Sequence, residues 1–136
     1  MSADRKRIVA FLVDHFEHPR NQQPIAGADI HETSGNTECG DFVEAYATIA
    51  TDNDGSSRLD RLAFEAQGST VCVAAASYLS ERLRGMPLDA VEGFDQETLL
   101  DELGREVVAS SRVSATLALV TLQRGVHHWR LRHISS

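Results

Sequence analysis

Apolar residues at Ile8, Leu12 and Phe16, with Val9 and Phe11 beside them, fall on one stripe at helical spacing, so residues 4–16 predict a helix that docks one face on a core. Pro19 ends it. Residues 21–28, with Pro24 and Gly27 among them, read as a surface connection that leads into a short extended piece at 29–33. Over residues 41–50 the period changes to two, with Val43, Ala45, Ala47 and Ile49 on one face and Glu44, Tyr46 and Thr48 on the other. That is a half-buried strand. Residues 51–57 are dense in turn formers, and Leu62, Phe64 and Ala66 then alternate with Arg61, Ala63 and Glu65, which predicts a hairpin. Together these segments make an antiparallel sheet of about three strands.

Gly68-Ser69-Thr70 opens a second helix, with Cys72, Ala75, Ala76, Leu79 and Leu83 on one face, and Gly85 with Pro87 closes it. Residues 95–103 predict a shorter polar helix. Residues 111–122 are apolar almost all round, which predicts a helix buried in the middle of the domain. Strands early and helices late give an α+β fold, a three-stranded antiparallel sheet with helices packed on one face. The chain has 136 residues, 42% hydrophobic and 24% charged, which is the size of one domain able to fold without disulfides or a structural metal. A single domain over residues 1–136 is the expectation.

Thirteen Lys plus Arg against twenty Asp plus Glu leave a net charge of -7, which repels phosphate backbones and anionic membrane surfaces. Neither nucleic acid nor a membrane is an expected partner. No apolar run approaches a membrane span, and the start of the chain carries no small-residue cleavage site, so the expected location is the cytoplasm. There, Cys39 and Cys72 are expected as reduced thiols rather than a disulfide. The dinucleotide, P-loop, nucleophile-elbow and zinc-protease motifs are all missing, and the Asp52/Asp54 turn fails the calcium-loop pattern at Ser57 and Ala63. A cysteine nucleophile with a histidine base is formally open, but no spacing selects a pair among the six histidines.

What remains is a constellation around the cysteines. Cys39-Gly40-Asp41 lies just before one strand, and Cys72 lies in the first turn of the helix that follows its pairing strand, so both belong to one end of the sheet. Cys72 comes just after a cap at Ser69 or Thr70, where unpaired N–H groups and the helix dipole favour a thiolate at an accessible rim. Asp41 adds a hard oxygen donor near Cys39. The spacing fits equally a Cys72 that is a small buried hydrophobe and an Asp41 that is a solvated strand-end carboxylate.

The segments Asp14-His-Phe-Glu-His-Pro-Arg-Asn21, Cys39-Gly-Asp41, Phe64 through Gly68 into Cys72-Val-Ala-Ala-Ala-Ser77, and Ser114-Ala-Thr-Leu-Ala118 stand in the order found in the IscU/SufU/NifU scaffolds of iron-sulfur cluster assembly. The chain resembles that family over about residues 7–126, and the short gap after Cys72 is closer to IscU and NifU than to SufU. The resemblance implies a SufE/NifU-like α+β fold and a non-enzymatic scaffold. It also implies a cysteine desulfurase as sulfur donor, recipient apo iron-sulfur proteins as partners, and a site for metal or a transient cluster at Cys39, Asp41 and Cys72.

The third family cysteine, at the start of the last long helix, is replaced here by Ser114, and Val113 stands where histidine often precedes it. His127 and His128 lie about 20 Å further along that helix at 1.5 Å per residue and cannot take its place. His15 and His31 are expected in capping or core roles rather than as ligands, and a neutral Ser114 hydroxyl is a poor ligand beside a thiolate. The proline-rich element that IscU proteins present to their chaperone is also missing, with residues 106–111 in its place. The leading expectation is a working or weakened scaffold; the alternatives are a degenerate zinc-binding or protein-docking module and a transferase using Cys72 as nucleophile.

Overall fold

A computed structural model describes residues 3–36, 38 and 40–134 of the chain. The order is α1 (Ala3–Glu17), β1 (Ile30–Asn36), β2 (Asp41–Thr51), β3 (Ser57–Gln67), α2 (Thr70–Arg82), α3 (Leu88–Glu92), α4 (Gln96–Leu103), α5 (Arg105–Val108), a short 3-10 turn (Ala109–Ser111) and α6 (Arg112–Ile134). The strands form one antiparallel sheet in the order β1-β2-β3. This is the α+β arrangement that the alternation and the helical spacing predict.

The alternation in β2 does what a half-buried strand requires. Val43, Ala45 and Ala47 are fully buried, opposite Ala66, Phe64 and Leu62 of β3. Leu59 joins this face through a bulge at Thr48/Ile49, which lets an extra β3 residue re-enter the core after the turn. α2 and α6 pack against each other and across this face. The alanines of α2 keep it close to the sheet, and burying each large side chain such as Phe64 or Leu79 contributes about 1.5–3 kcal/mol. Gly125 does the same for α6, because a Cβ there would meet Ile30 Cγ2 of β1 at 2.5 Å. On the opposite face, Ile25 of the 21–28 connection covers Tyr46 and Ala63, so the sheet has a second small cluster there.

Three expectations are corrected. In α1 the buried residues are Leu12 and His15, while Phe16 is half-exposed at 38%, because the helix is rotated so that His15 rather than Phe16 meets α2. The helix predicted at 111–122 runs to Ile134 and is not apolar all round. Val113 and Val120 face solvent, whereas Ser114, Thr116 and Thr121 are buried. Thr116 and Thr121 donate to the carbonyls of Arg112 and Leu117 at 2.9 and 2.7 Å, which lets polar residues occupy core positions without unpaired hydroxyls. Finally, the segment between Pro87 and Arg112 forms α3 and α5 as well as the predicted α4, which buries Leu99, Leu100 and Leu103. Among the described residues no helix is long and apolar enough to cross a membrane.

The Asp14–Asn21 motif is a packing device. His15 Nδ1 lies 2.7 Å from Ser77 Oγ, and the Arg20 backbone N–H donates to the same oxygen at 2.8 Å. Asn21 Nδ2 donates to Ser80 Oγ at 3.0 Å. The turn after α1 is thereby fastened to α2. Burial holds the His15 imidazole below its ordinary value of 6.5, helped by the Arg20 charge and opposed by Glu81 and Asp14. The folded protein therefore binds fewer protons at His15 than the unfolded chain. Its contribution to stability is complete above about pH 6.5 and is lost as pH falls from there toward the depressed folded value. The urea midpoint should drop more between pH 7.5 and 5.5 in wild type than in His15→Gln; equal drops would mean that His15 is not the titrating group.

Candidate functional site

Three chain segments converge at the end of the sheet where β2 begins. Asp41 is the first residue of β2 and only 2% exposed, Ser69 caps α2, and Ser114 sits in the first turn of α6. Asp41 Oδ1 accepts the backbone N–H of Ser69 at 2.8 Å, and Oδ2 accepts the Ser114 hydroxyl at 2.5 Å. The carboxylate thus uses both oxygens to tie β2 to two helix starts. Its charge also lies at the N-terminus of α2, where the helix dipole favours it. Gly68 makes the approach possible. Its φ is +122°, and a Cβ there would stand 2.8 Å from both Asp41 Cα and Gly40 O and run into the Asp41 carboxylate. Only glycine fits at this position.

Ser69 Oγ accepts the Cys72 N–H at 3.3 Å, the capping bond expected of a serine before a helix. Cys72 follows on the core side of α2 and is fully buried. Here the accessible thiolate expected at a rim is corrected. Burial, with the Asp41 charge adding to it, pushes the thiol up to about 12. A thiolate next to a carboxylate in an apolar setting is disfavoured, and the helix terminus does not compensate.

The structure therefore brings Asp41, Ser114 and Cys72 together; the chain order predicts this for Asp41 and Cys72, and the resemblance implies it for Ser114. Cys39 lies outside the described residues. His15 is in the packed role expected of it, whereas His31 is exposed and neither caps a helix nor enters the core. His15 is bound to Ser77, and His31 stacks on Tyr46 at 4.6 Å and pairs with Glu44, on the sheet face opposite Cys72. His128 pairs with Glu32 of β1. Among the described residues no group of three or more His, Cys, Asp or Glu side chains could hold a metal ion. Asp41 and Cys72 supply one hard oxygen and one soft sulfur donor, a mixture that suits zinc or iron once further donors join them.

Sequence reasoning did not anticipate that Asp41 is a structural junction. The signal was present in part, since a serine at Ser69 and a glycine at Gly68 mark a capped helix start with a close backbone approach. That this approach is to Asp41 depends on β3 returning beside β2.

A sequence description of the NifU-like N terminal domain matches residues 9–135. Among similar curated proteins, the Bifunctional protein NifU/MnmA of Rubrobacter xylanophilus is 28% identical over 113 residues, covering 83% of this chain and 22% of that protein. The Iron-sulfur cluster assembly scaffold protein IscU 1 of Archaeoglobus fulgidus is 30% identical over 93 residues, covering 68% of this chain and 58% of that one. The chain thus spans about a fifth of one relative and less than two thirds of the other. The crystal structure of a NifU-like protein (N-terminal) from Brucella abortus superposes with a TM-score of 0.72 at 13% identity, covering 90% of this chain and 93% of that one. The shared fold and the match over nearly all of the sequence lead to one conclusion: the chain belongs to the NifU-like N terminal domain family.

Proposed function

We propose that this chain is a single-domain scaffold for iron-sulfur cluster assembly. In this reading a cysteine desulfurase supplies sulfur, iron is held with it at Cys39, Asp41 and Cys72, and the product passes to recipient apoproteins. The observation that carries this reading is the convergence of Asp41, Cys72 and Ser114 at one end of the sheet, in a chain whose relatives include a protein named as such a scaffold. Iron and sulfide are cargo here. Loading requires the Cys72 thiol to give up its proton as it meets the cation, since a bound metal stabilises the thiolate that burial disfavours. The cytoplasm is the compartment we assign, because the site needs reduced thiols.

A second reading has its own support. Both Asp41 oxygens are already hydrogen-bonded and Cys72 is buried as a neutral thiol, the state expected of a degenerate module that holds zinc or docks to a partner without assembling a cluster. One experiment separates the two. Protein incubated without oxygen with a cysteine desulfurase, cysteine, ferrous iron and dithiothreitol, whose thiols supply the two electrons that take each persulfide sulfur to sulfide, is assayed for iron, zinc and acid-labile sulfide. A sample without iron or dithiothreitol is mapped by mass spectrometry for added sulfur. The scaffold reading expects both elements to be retained, at least fivefold less in Cys39→Ala and Cys72→Ala, and the first added sulfur on Cys39, because Cys72 offers neither access nor a thiolate. Zinc alone, with no sulfide in any sample, supports the second reading.

A further inference from the structure

Most arginines of this acidic chain reach a carboxylate: Arg82 binds Glu102, Arg124 binds Glu32, and Arg58 pairs with both Asp52 and Asp60. Arg61 and Arg84 do not. Among the described residues, neither guanidinium has a carboxylate within ion-pair distance, and Arg84 donates only to the Asp60 carbonyl at 3.3 Å. Both residues line the same cavity of about 210 Å³, away from the Asp41 site, on the sheet face where Ile25 packs. Asn21 and Gln23 complete its wall, and Ile25 and Ala63, both buried, form an apolar floor.

The wall is built rather than incidental. Asn21 is the only non-glycine described residue with a positive φ, 52°, and it is pinned by its side chain to Ser80 and by its carbonyl to the Phe64 N–H at 3.0 Å. That conformation suits asparagine better than most residues, and here it turns the chain so that residues 21–25 run along the Arg61 side of β3.

We propose that this cavity binds a small oxyanion of the phosphate class, either inorganic phosphate or the phosphate group of a short phosphomonoester. Two unpaired guanidiniums match a group carrying about one and a half to two negative charges at neutral pH, and their planar donors fit phosphate oxygens bidentately. A single carboxylate would leave one cation uncompensated. The volume falls below the roughly 300–1,000 Å³ of pockets for larger ligands, so a nucleotide does not fit, whereas the apolar floor accommodates a few carbons. The net charge of -7 works against any anion at long range, but screening over about 8 Å at physiological salt leaves the local arginines dominant.

Titrating the labelled full chain with inorganic phosphate and with glycerol 3-phosphate, at constant ionic strength, tests this by NMR. Saturable shifts confined to Asn21, Gln23 and Ala63 are expected in the millimolar range, with Arg61→Gln and Arg84→Gln each weakening binding at least fivefold. Tighter binding of glycerol 3-phosphate than of phosphate would assign the site to phosphomonoesters, and equal or weaker binding to the free ion. Arg132→Gln is the control, since Arg132 also has no carboxylate partner among the described residues but lies at the far end of α6. Non-saturating shifts, or an equal loss in Arg132→Gln, would overturn the proposal. Acetate should bind several-fold more weakly, and equal binding would overturn the assignment to phosphate.

Discussion

Ser114→Cys is expected to hold a reconstituted iron-sulfur cluster at least tenfold longer than wild type. A two-iron cluster takes about four protein donors, and this chain offers two cysteines, one carboxylate and one hydroxyl. Position 114 faces the site, since its hydroxyl is 2.5 Å from Asp41 Oδ2. Cysteine there supplies the soft anionic donor that iron prefers over a neutral hydroxyl. The same change weakens the apoprotein, because a thiol is a poorer donor than a hydroxyl to a buried carboxylate. About 1–2 kcal/mol of stability should be lost without metal. The paired measurements are decay of the visible absorbance after a chelator is added, and the urea midpoint of the apoprotein. Equal cluster lifetimes would show that a missing fourth ligand does not limit retention.

Asp41→Ala should be the most destabilising single change at the site, by about 2–4 kcal/mol. It leaves the Ser69 N–H and the Ser114 hydroxyl without their buried partner, removes the anion from the N-terminus of α2, and opens space under Gly68. Asp41→Asn should cost less than half as much, because the amide still accepts from Ser69 and can donate to Ser114. At roughly 3–6 °C of melting temperature per kcal/mol for a domain of this size, the two variants are readily told apart by thermal unfolding. If alanine melts with asparagine, both within about 2 °C of wild type, Asp41 is not the junction described here and its role is confined to binding cargo.

The strands were legible because a period of two leaves little choice. With Val43, Ala45 and Ala47 on one face, a slip of one residue would turn all of them away from the helices to the other face of the sheet. The start of α2 was legible for a similar reason, since Gly68 and Ser69 are local signals read by the backbone of their own turn. The rotation of α1 was not. Phe16 is more apolar than His15, but His15 finds Ser77 on a helix 62 residues away, and no window along the sequence contains both. The burial of Ser114 and Thr121 escaped for the same reason: their hydroxyls are satisfied by Asp41 and by the helix itself, and hydrophobic spacing does not register that.

By itself the sequence determined the α+β order of elements, the half-buried face of the sheet, and the placing of Asp41 and Cys72 at one end of it. Each of these is written in local periodicity, in caps, or in motif residues at fixed order. Only the tertiary structure decided what those residues are to one another. It made Asp41 a buried junction rather than a solvated strand end, made Cys72 a neutral core thiol rather than an exposed thiolate, and left Arg61 and Arg84 lining one cavity without carboxylates. The physical reason is desolvation. Whether a carboxylate, a thiol or a guanidinium is paired, protonated or free depends on the water removed by segments distant in sequence, and chain order alone does not encode that distance.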